Sequence, residues 1–189
     1  MKSAEAVLLP VQRKQYEHDL RAHRDILHLD TQTRIKHMTL HFLKYAGKIA
    51  VCAESGDQGS LRAVIADTII ICLATANSLN VSLADGIPER ADNLDHLCKI
   101  LGAEIALDHV FEKALSELVK IAGRMAKAIE SMDHLELGNP RSDLESLIKK
   151  LASAMLGVAG CLQMTLEADI QQRWDAVEAK SIFSRELAL

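Results

Sequence analysis

Two stretches of this chain read as copies of one another. Residues 44–55 are KYAGKIAVCAES and residues 120–131 are KIAGRMAKAIES, with Lys, Ala, Gly, Ala, Glu and Ser in register. Residues 73–87 (LATANSLNVSLADGI) then match residues 156–170 (LGVAGCLQMTLEADI), and the match runs on to Arg90 against Arg173 and Asp92 against Asp175. The offset grows where the second copy carries the insertion DHLELGNPR. A repeat restricts the fold, because whatever supersecondary unit the first copy forms, the second forms too. Two copies are too few for a solenoid, so the expectation is a fused pair sharing one core.

The wording of both copies is helical. Nearly half the residues are apolar (49%) but only 3% are aromatic, and Ala, Leu and Ile dominate, which favours packed helices over a β-sandwich. With three prolines and nine glycines, long runs stay uninterrupted. A helix is expected over residues 11–27. Asp30 or Thr31 caps the next, which runs to about Glu54. Gly56, Gly59 and Ser60 form a loop with Ser60 as N-cap of a hydrophobic helix over 61–79. After a tight turn at Asn80-Val81-Ser82, Ser82 and Asp85 resemble a capping box. A shorter helix enters near Pro88 and stops at Gly102. In the second copy a long helix spans 106–132 and Gly138-Asn139-Pro140 breaks the chain. Ser142 and Glu145 form a capping box for the next helix, Thr165 caps a last helix from Leu166 to about Lys180, and the tail after Ser184 is loose. No segment alternates as a strand bounded by turns. Short links make neighbouring helices antiparallel. The expected fold is therefore an all-α antiparallel helical bundle. It forms one compact domain over 1–189, made of two units at about 28–102 and 106–182.

Charge and cysteine usage bound the partners. A net charge of −4 gives no argument for nucleic acid or an anionic membrane. Cys52, Cys72, Cys98 and Cys161 are far apart and form no CxxC, so they are expected to be buried free thiols of a reducing compartment. The start of the chain has too short an apolar run for a secretion signal, and the apolar run 63–79 carries Asp67 and Asn77, as a core helix does. A cytoplasmic protein without a membrane span is expected. Helical units with two apolar faces seldom bury both alone, so a homo-oligomer, most simply a dimer, is expected as well.

The order of elements and the local motifs resemble the MazG-like, all-α nucleoside triphosphate pyrophosphohydrolases. Members of that family carry an E-E-x-G-E type motif on one helix and E-x-x-D on the next, followed by a short turn and another helix. Lys44-Tyr45-Ala46-Gly47-Lys48 falls at the first motif and Val64-Ile65-Ala66-Asp67 at the second. Asn80-Val81-Ser82-Leu83 and Gln163-Met164-Thr165-Leu166 match the turn. The resemblance covers roughly residues 32–95 and 108–180 and implies the fold, with acidic groups binding magnesium and magnesium holding a triphosphate. The chain departs from it at the acids. Lys44, Tyr45 and Lys48 replace three glutamates, and Asp67 alone survives in the first copy. The second copy has Lys120, Ile121 and Arg124, with Lys150 opposite Asp67. Magnesium needs several hard oxygen ligands, so the family's metal site cannot assemble there.

What replaces it is a basic stripe. On a helical projection Arg34, His37, His41, Lys44 and Lys48 fall within an arc of about 80°. In relatives the positions of Lys44 and Lys48 face the nucleotide, so the stripe is a candidate anion site for a nucleotide or other phosphorylated small molecule. Its plainer reading is the solvated face of an amphipathic helix. His37 and His41 also have the i, i+4 spacing that chelates a metal, although no carboxylate shares their stripe. Glu54, Asp57 and Asp67 are the candidates for a relocated acidic site, the one way magnesium would enter. His18-Asp19 is a lone HD pair, and Asp95-His96 and Asp108-His109 read as surface pairs. Trp174 reads as a packing anchor between halves or subunits. There is no P-loop, GxGxxG or GxSxG.

Two functions follow. The first is a divergent binding or interaction module without the family's magnesium-dependent activity, holding a phosphorylated ligand at Lys44 and Lys48. The second is an active nucleotide pyrophosphohydrolase with a rearranged metal site at Glu54, Asp57 and Asp67. A purely structural helical partner is the third, unspecific reading.

Overall fold

A computed structural model describes residues 1–134 and 136–180. The chain forms helices α1 (Ala4–Ala22), α2 (Arg24–Leu27), α3 (Thr31–Ser55), α4 (Gln58–Leu79), α5 (Leu94–Leu101), α6 (Val110–Asp133), α7 (Pro140–Cys161) and α8 (Leu166–Glu178). A two-residue ladder, β1 (Lys2–Ser3) antiparallel to β2 (Arg90–Ala91), ties the start of the chain to the segment before α5. The expected all-α bundle is the observed fold. The expected loose tail lies outside the described residues.

Four long helices make the core as a square in which α3 touches α4 and α6, and α7 touches α4 and α6. All four contacts are antiparallel. The loop Gly56–Asp57 turns α3 directly into α4. Lys36 at the start of α3 pairs with Asp133 at the end of α6 at 2.8 Å, and Arg141 at the start of α7 donates to the Leu79 carbonyl at the end of α4 at 2.7 Å. Phe42, Ile49, Leu61, Ile65, Leu118, Met125, Ile148 and Leu151 are fully buried between them. Burial of this kind drives the assembly, at about 25 cal/mol for each Å2 of apolar surface removed from water.

The shorter helices pack crosswise. α5 lies on α7 and α8 lies on α4. The helix ends that precede them are alike. Asn80 and Gln163 are the two non-glycine residues with positive φ among the described residues, at 56° and 53°. Each is followed by the same bond, Val81 N–H to Ala76 O and Met164 N–H to Ala159 O, both at 3.0 Å. Left-handed closure of this type satisfies carbonyls at a helix end. The copies then diverge. Thr165 leads straight into α8, whereas residues 80–93 run through turns and β2 before α5.

Several boundaries differ from expectation for identifiable reasons. α1 begins at Ala4, capped by Ser3, and runs through Pro10. A proline inside a helix removes one hydrogen bond. Here Val7, Leu8 and Val11 are buried and hold the helix in place, while Pro10 itself is exposed. α4 is capped by Asp57, whose carboxylate accepts from Ser60 N–H at 3.0 Å, so Ser60 is the donor rather than the cap. α5 starts at Leu94 with Asn93 as cap, not near Pro88. α7 is capped by Asn139, with Pro140 in its first turn. Thr165 makes no side-chain cap bond.

α4 is long and apolar enough to cross a membrane, with a mean hydropathy of 1.6 over its most apolar window, yet 61% of that window is buried inside the protein. Its polar residues are partnered as in a core helix. Asn77 donates to the Gln12 carbonyl at 2.9 Å, and Gln12 donates to Val81 O and accepts from Leu83 N–H. All four cysteines are free thiols, three of them buried.

Candidate functional site

The basic stripe of α3 is divided between two cavities. Its lower end, Lys44 and Lys48, opens onto a cleft of about 550 Å3 between α3 and α4, closed at one side by Arg173 of α8. Its upper end, Arg34, His37 and His41, lines a narrow cavity of about 90 Å3 beneath α1 and α2. The two ends touch where Lys44 Nζ lies 3.1 Å from His41 Nδ1.

In the open cleft, Asp67 is held in a fork by Arg173, with Nε to Oδ1 at 2.6 Å and Nη2 to Oδ2 at 2.7 Å. This bond spans more than a hundred residues of sequence and uses both oxygens of the one acidic motif residue. Paired Arg–carboxylate forks are the strong form of such contacts. Lys44 and Lys48 make no ion pair with a carboxylate among the described residues. Instead their ammonium groups sit 4.7 and 5.7 Å from the Tyr45 ring. Burial, then the neighbouring Lys48 charge, hold the Lys44 ammonium below its ordinary pKa, with Asp67 opposing. Tyr45 is pushed up to about 12, mainly by burial, and stays a neutral phenol. A Cβ placed on Gly47 would meet nothing within 4 Å, so the cleft floor between the two lysines is bare backbone.

The acidic candidates are not brought together. Asp57 is occupied as the α4 cap, and its carboxyl is held low by the Ser60 hydrogen bonds. Glu54 is exposed near the end of α3. With Asp67 committed to Arg173, the cleft offers a divalent cation two ammonium groups and no free carboxylate pair. Its residues do not fit magnesium, which requires several oxygen ligands.

The upper cavity contains what the sequence reading passed over. His18 and Asp19, a lone pair in a charged helix by sequence, are both buried. Asp19 and His23 line the cavity together with His37 and His41, and the His18 ring meets that of His23 edge-on with centroids 5.4 Å apart. Burial lowers the His23 pKa, with the His18 charge acting the same way. His41 is pushed down to about 4, by burial first and then by Lys44. Asp19 is pushed up to about 6 by burial, against the Gln15 hydrogen bond and the Arg34 charge. Trp174, expected as a packing anchor, is buried in the core. It joins α8 to α1, stacking on His18 at 5.9 Å between centroids and donating to Gln15 at 2.7 Å. The sequence signal for this cluster was the spacing of His18, Asp19 and His23 on one helix. Asp95-His96 and Asp108-His109 belong to neither cavity, and His96 and His109 pair with nearby acids on the surface.

A third and larger cleft, about 1000 Å3, lies between α6 and α7. Most of its charges are already matched. Lys113 pairs with Glu117 at 3.3 Å, Lys149 with Asp85 at 2.9 Å and Arg141 with Glu145 at 2.8 Å. In this second copy Lys120 also approaches Glu117. The unmatched pair of cations is therefore a property of the α3–α4 cleft.

No family model, curated protein or solved structure matches the chain.

Proposed function

We propose that this chain is a divergent, tandem MazG-like helical protein that binds a phosphorylated small molecule, a nucleotide being the type case, without the metal-dependent pyrophosphohydrolase activity. The observation that carries the reading is the pair Lys44 and Lys48 on one cleft wall with no carboxylate ion pair among the described residues, beside an Asp67 that Arg173 already neutralises. The cleft thus has a net positive charge and a floor opened by Gly47. A phosphate between the two lysines would supply the missing counter-charge and favour the charged form of Lys44, which burial disfavours. The volume falls in the range of small-molecule sites. The tandem reading is supported by the matched left-handed helix ends at Asn80 and Gln163 and by the exchange of α5 and α8 between the two halves. The free cysteines are compatible with a cytoplasmic setting.

The double change Lys44→Ala, Lys48→Ala is expected to weaken binding of a triphosphate by about 100-fold. Each charge-assisted hydrogen bond contributes about 1.5 kcal/mol. Isothermal titration reads this directly, and circular dichroism checks that the helices persist. An affinity unchanged by the double substitution would remove the site from α3. Conversion of a triphosphate to monophosphate and pyrophosphate by the unmodified chain in magnesium, abolished by Asp67→Asn, would instead establish the hydrolase reading with Asp67 as its acid.

A further inference from the structure

The cluster beneath α1 has the construction of a metal site, and it is separate from the phosphate cleft. The potential ligand atoms of His18, Asp19 and His23 all lie within 4.8 Å of one another. Two of the three are oriented by outer partners. The Nδ1 of His18 lies 2.8 Å from Glu178 Oε1, and a carboxylate only accepts, so Nδ1 carries a proton and Nε2 is the nitrogen left to meet an ion. Arg21 holds the same Glu178 oxygen at 2.9 Å. Trp174 Nε1–H donates to Gln15 Oε1 at 2.7 Å, which fixes the Gln15 amide, and Gln15 Nε2–H donates to Asp19 Oδ1 at 2.8 Å. A carboxylate behind a histidine and an amide behind an aspartate are the supports that orient ligands toward an ion. His18 and Asp19 are 2% and 7% exposed, a costly place for unsupported polar groups.

We propose that His18, Asp19 and His23 bind a divalent first-row transition-metal ion, of which zinc is the type case. Two imidazoles and one carboxylate suit zinc, cobalt(II) or nickel(II) better than magnesium or calcium, which prefer oxygen alone. Ligand bonds of about 2.0–2.2 Å place neighbouring donors about 3–3.5 Å apart around one ion, so the cluster tightens by roughly 1 Å on binding. The residue that moves is His23, at the break between α1 and α2 where the backbone leaves the helix (φ −133°, ψ 41°). Three protein ligands leave one position open toward the cavity lined by His37, His41 and Arg34. Arg34, whose Nε is buried without a hydrogen-bond partner among the described residues, makes an anion or hydroxide the natural occupant of that position.

The test uses the full chain, stripped with EDTA and titrated with cobalt(II) and zinc. One ion per chain is expected, with a visible cobalt absorption band of low-coordinate type. His23→Ala and Asp19→Asn should each weaken binding by about 100-fold or more. Glu178→Gln, which keeps all three ligands but loosens His18, should cost about 10-fold. His109→Ala, at the far cleft, should change nothing. Circular dichroism confirms folding of each variant. His23 is the chosen probe because it is only partly buried. No bound ion, or His23→Ala binding within threefold of the unmodified chain, overturns the proposal. So does loss of binding on His37→Ala with His23→Ala unaffected, which would put the ion on α3 alone.

Discussion

Gly160→Ala is expected to lower the unfolding free energy by about 3 kcal/mol or more, the largest effect of any one-carbon change in this protein. α5 crosses α7 backbone to backbone, and Gly160 is the point of contact. A Cβ there would collide with the carbonyl of Cys98 and lie 2.8 Å from the Lys99 nitrogen. Neither is a side chain that can rotate away, so α5 has to lift from α7 and expose Leu97 and Cys98, both fully buried. Gly102 makes the matching approach from the α5 side, with the Cys161 nitrogen 2.7 Å from its would-be Cβ. Gly123 on α6 is the control. Nothing lies within 4 Å of its would-be Cβ, so Gly123→Ala should stabilise the helix by up to about 1 kcal/mol. Chemical denaturation of the two variants should therefore move the midpoint in opposite directions. A shift of the same sign and size in both would mean that α5 does not sit on the α7 backbone.

The second large effect is at Asp19 and depends on pH. Burial raises its carboxyl from 3.8 to about 6. A carboxyl whose folded pKa is raised stabilises the fold fully below its unfolded pKa and loses that contribution as pH rises through the folded value. At neutral pH the ionised, buried carboxylate thus works against folding by about 2 to 3 kcal/mol, at 1.36 kcal/mol per pKa unit. Asn imitates the protonated acid. Asp19→Asn in EDTA should raise the unfolding free energy by about that amount at pH 7.5, and by almost nothing at pH 4 or below. His41 acts in the opposite sense across the same window. Its pKa is depressed to about 4, so its neutral form stabilises the fold above its ordinary 6.5 and that contribution fades as pH falls. His23 follows the same direction. In the unmodified protein the Asp19 contribution partly offsets those of the two histidines between pH 4 and 6.5, and Asp19→Asn should unmask a steeper acid loss. Equal gains at both pH values would contradict a buried, raised Asp19. A residue that costs stability in the apo protein yet would ligate an ion follows the usual trade between function and stability.

Much of the bundle was legible because its signals are local. The repeat located α3 and α6, the capping residue Asp30 marked a helix start, and Gly138-Asn139-Pro140 marked the main break. Asn77 in an otherwise apolar run pointed to a buried helix, and its bond to Gln12 is the reason it is tolerated. What was not legible is carried by contacts distant in sequence. The Asp67–Arg173 fork, the His18–Glu178 bond and the Trp174–Gln15 bond each join residues 106 or more positions apart. No pattern within a single helix encodes them. α1 was misplaced because Pro10 is a strong local stop signal, overridden here by the packing of Val7, Leu8 and Val11. The stripe on α3 was found as one feature, but the fold splits it, because α1 and α2 cover His37 and His41 and leave Lys44 and Lys48 open.

Calorimetric titration of the full chain with nucleoside triphosphates is the most direct test of the proposal that Lys44 and Lys48 hold a phosphate without a metal. The titration is run once in EDTA and once in magnesium. Binding in EDTA is expected to be at least as tight as in magnesium and to weaken as salt is raised, since two ammonium groups supply the attraction. Binding that appears only with magnesium, or no binding in either buffer, would contradict the proposal.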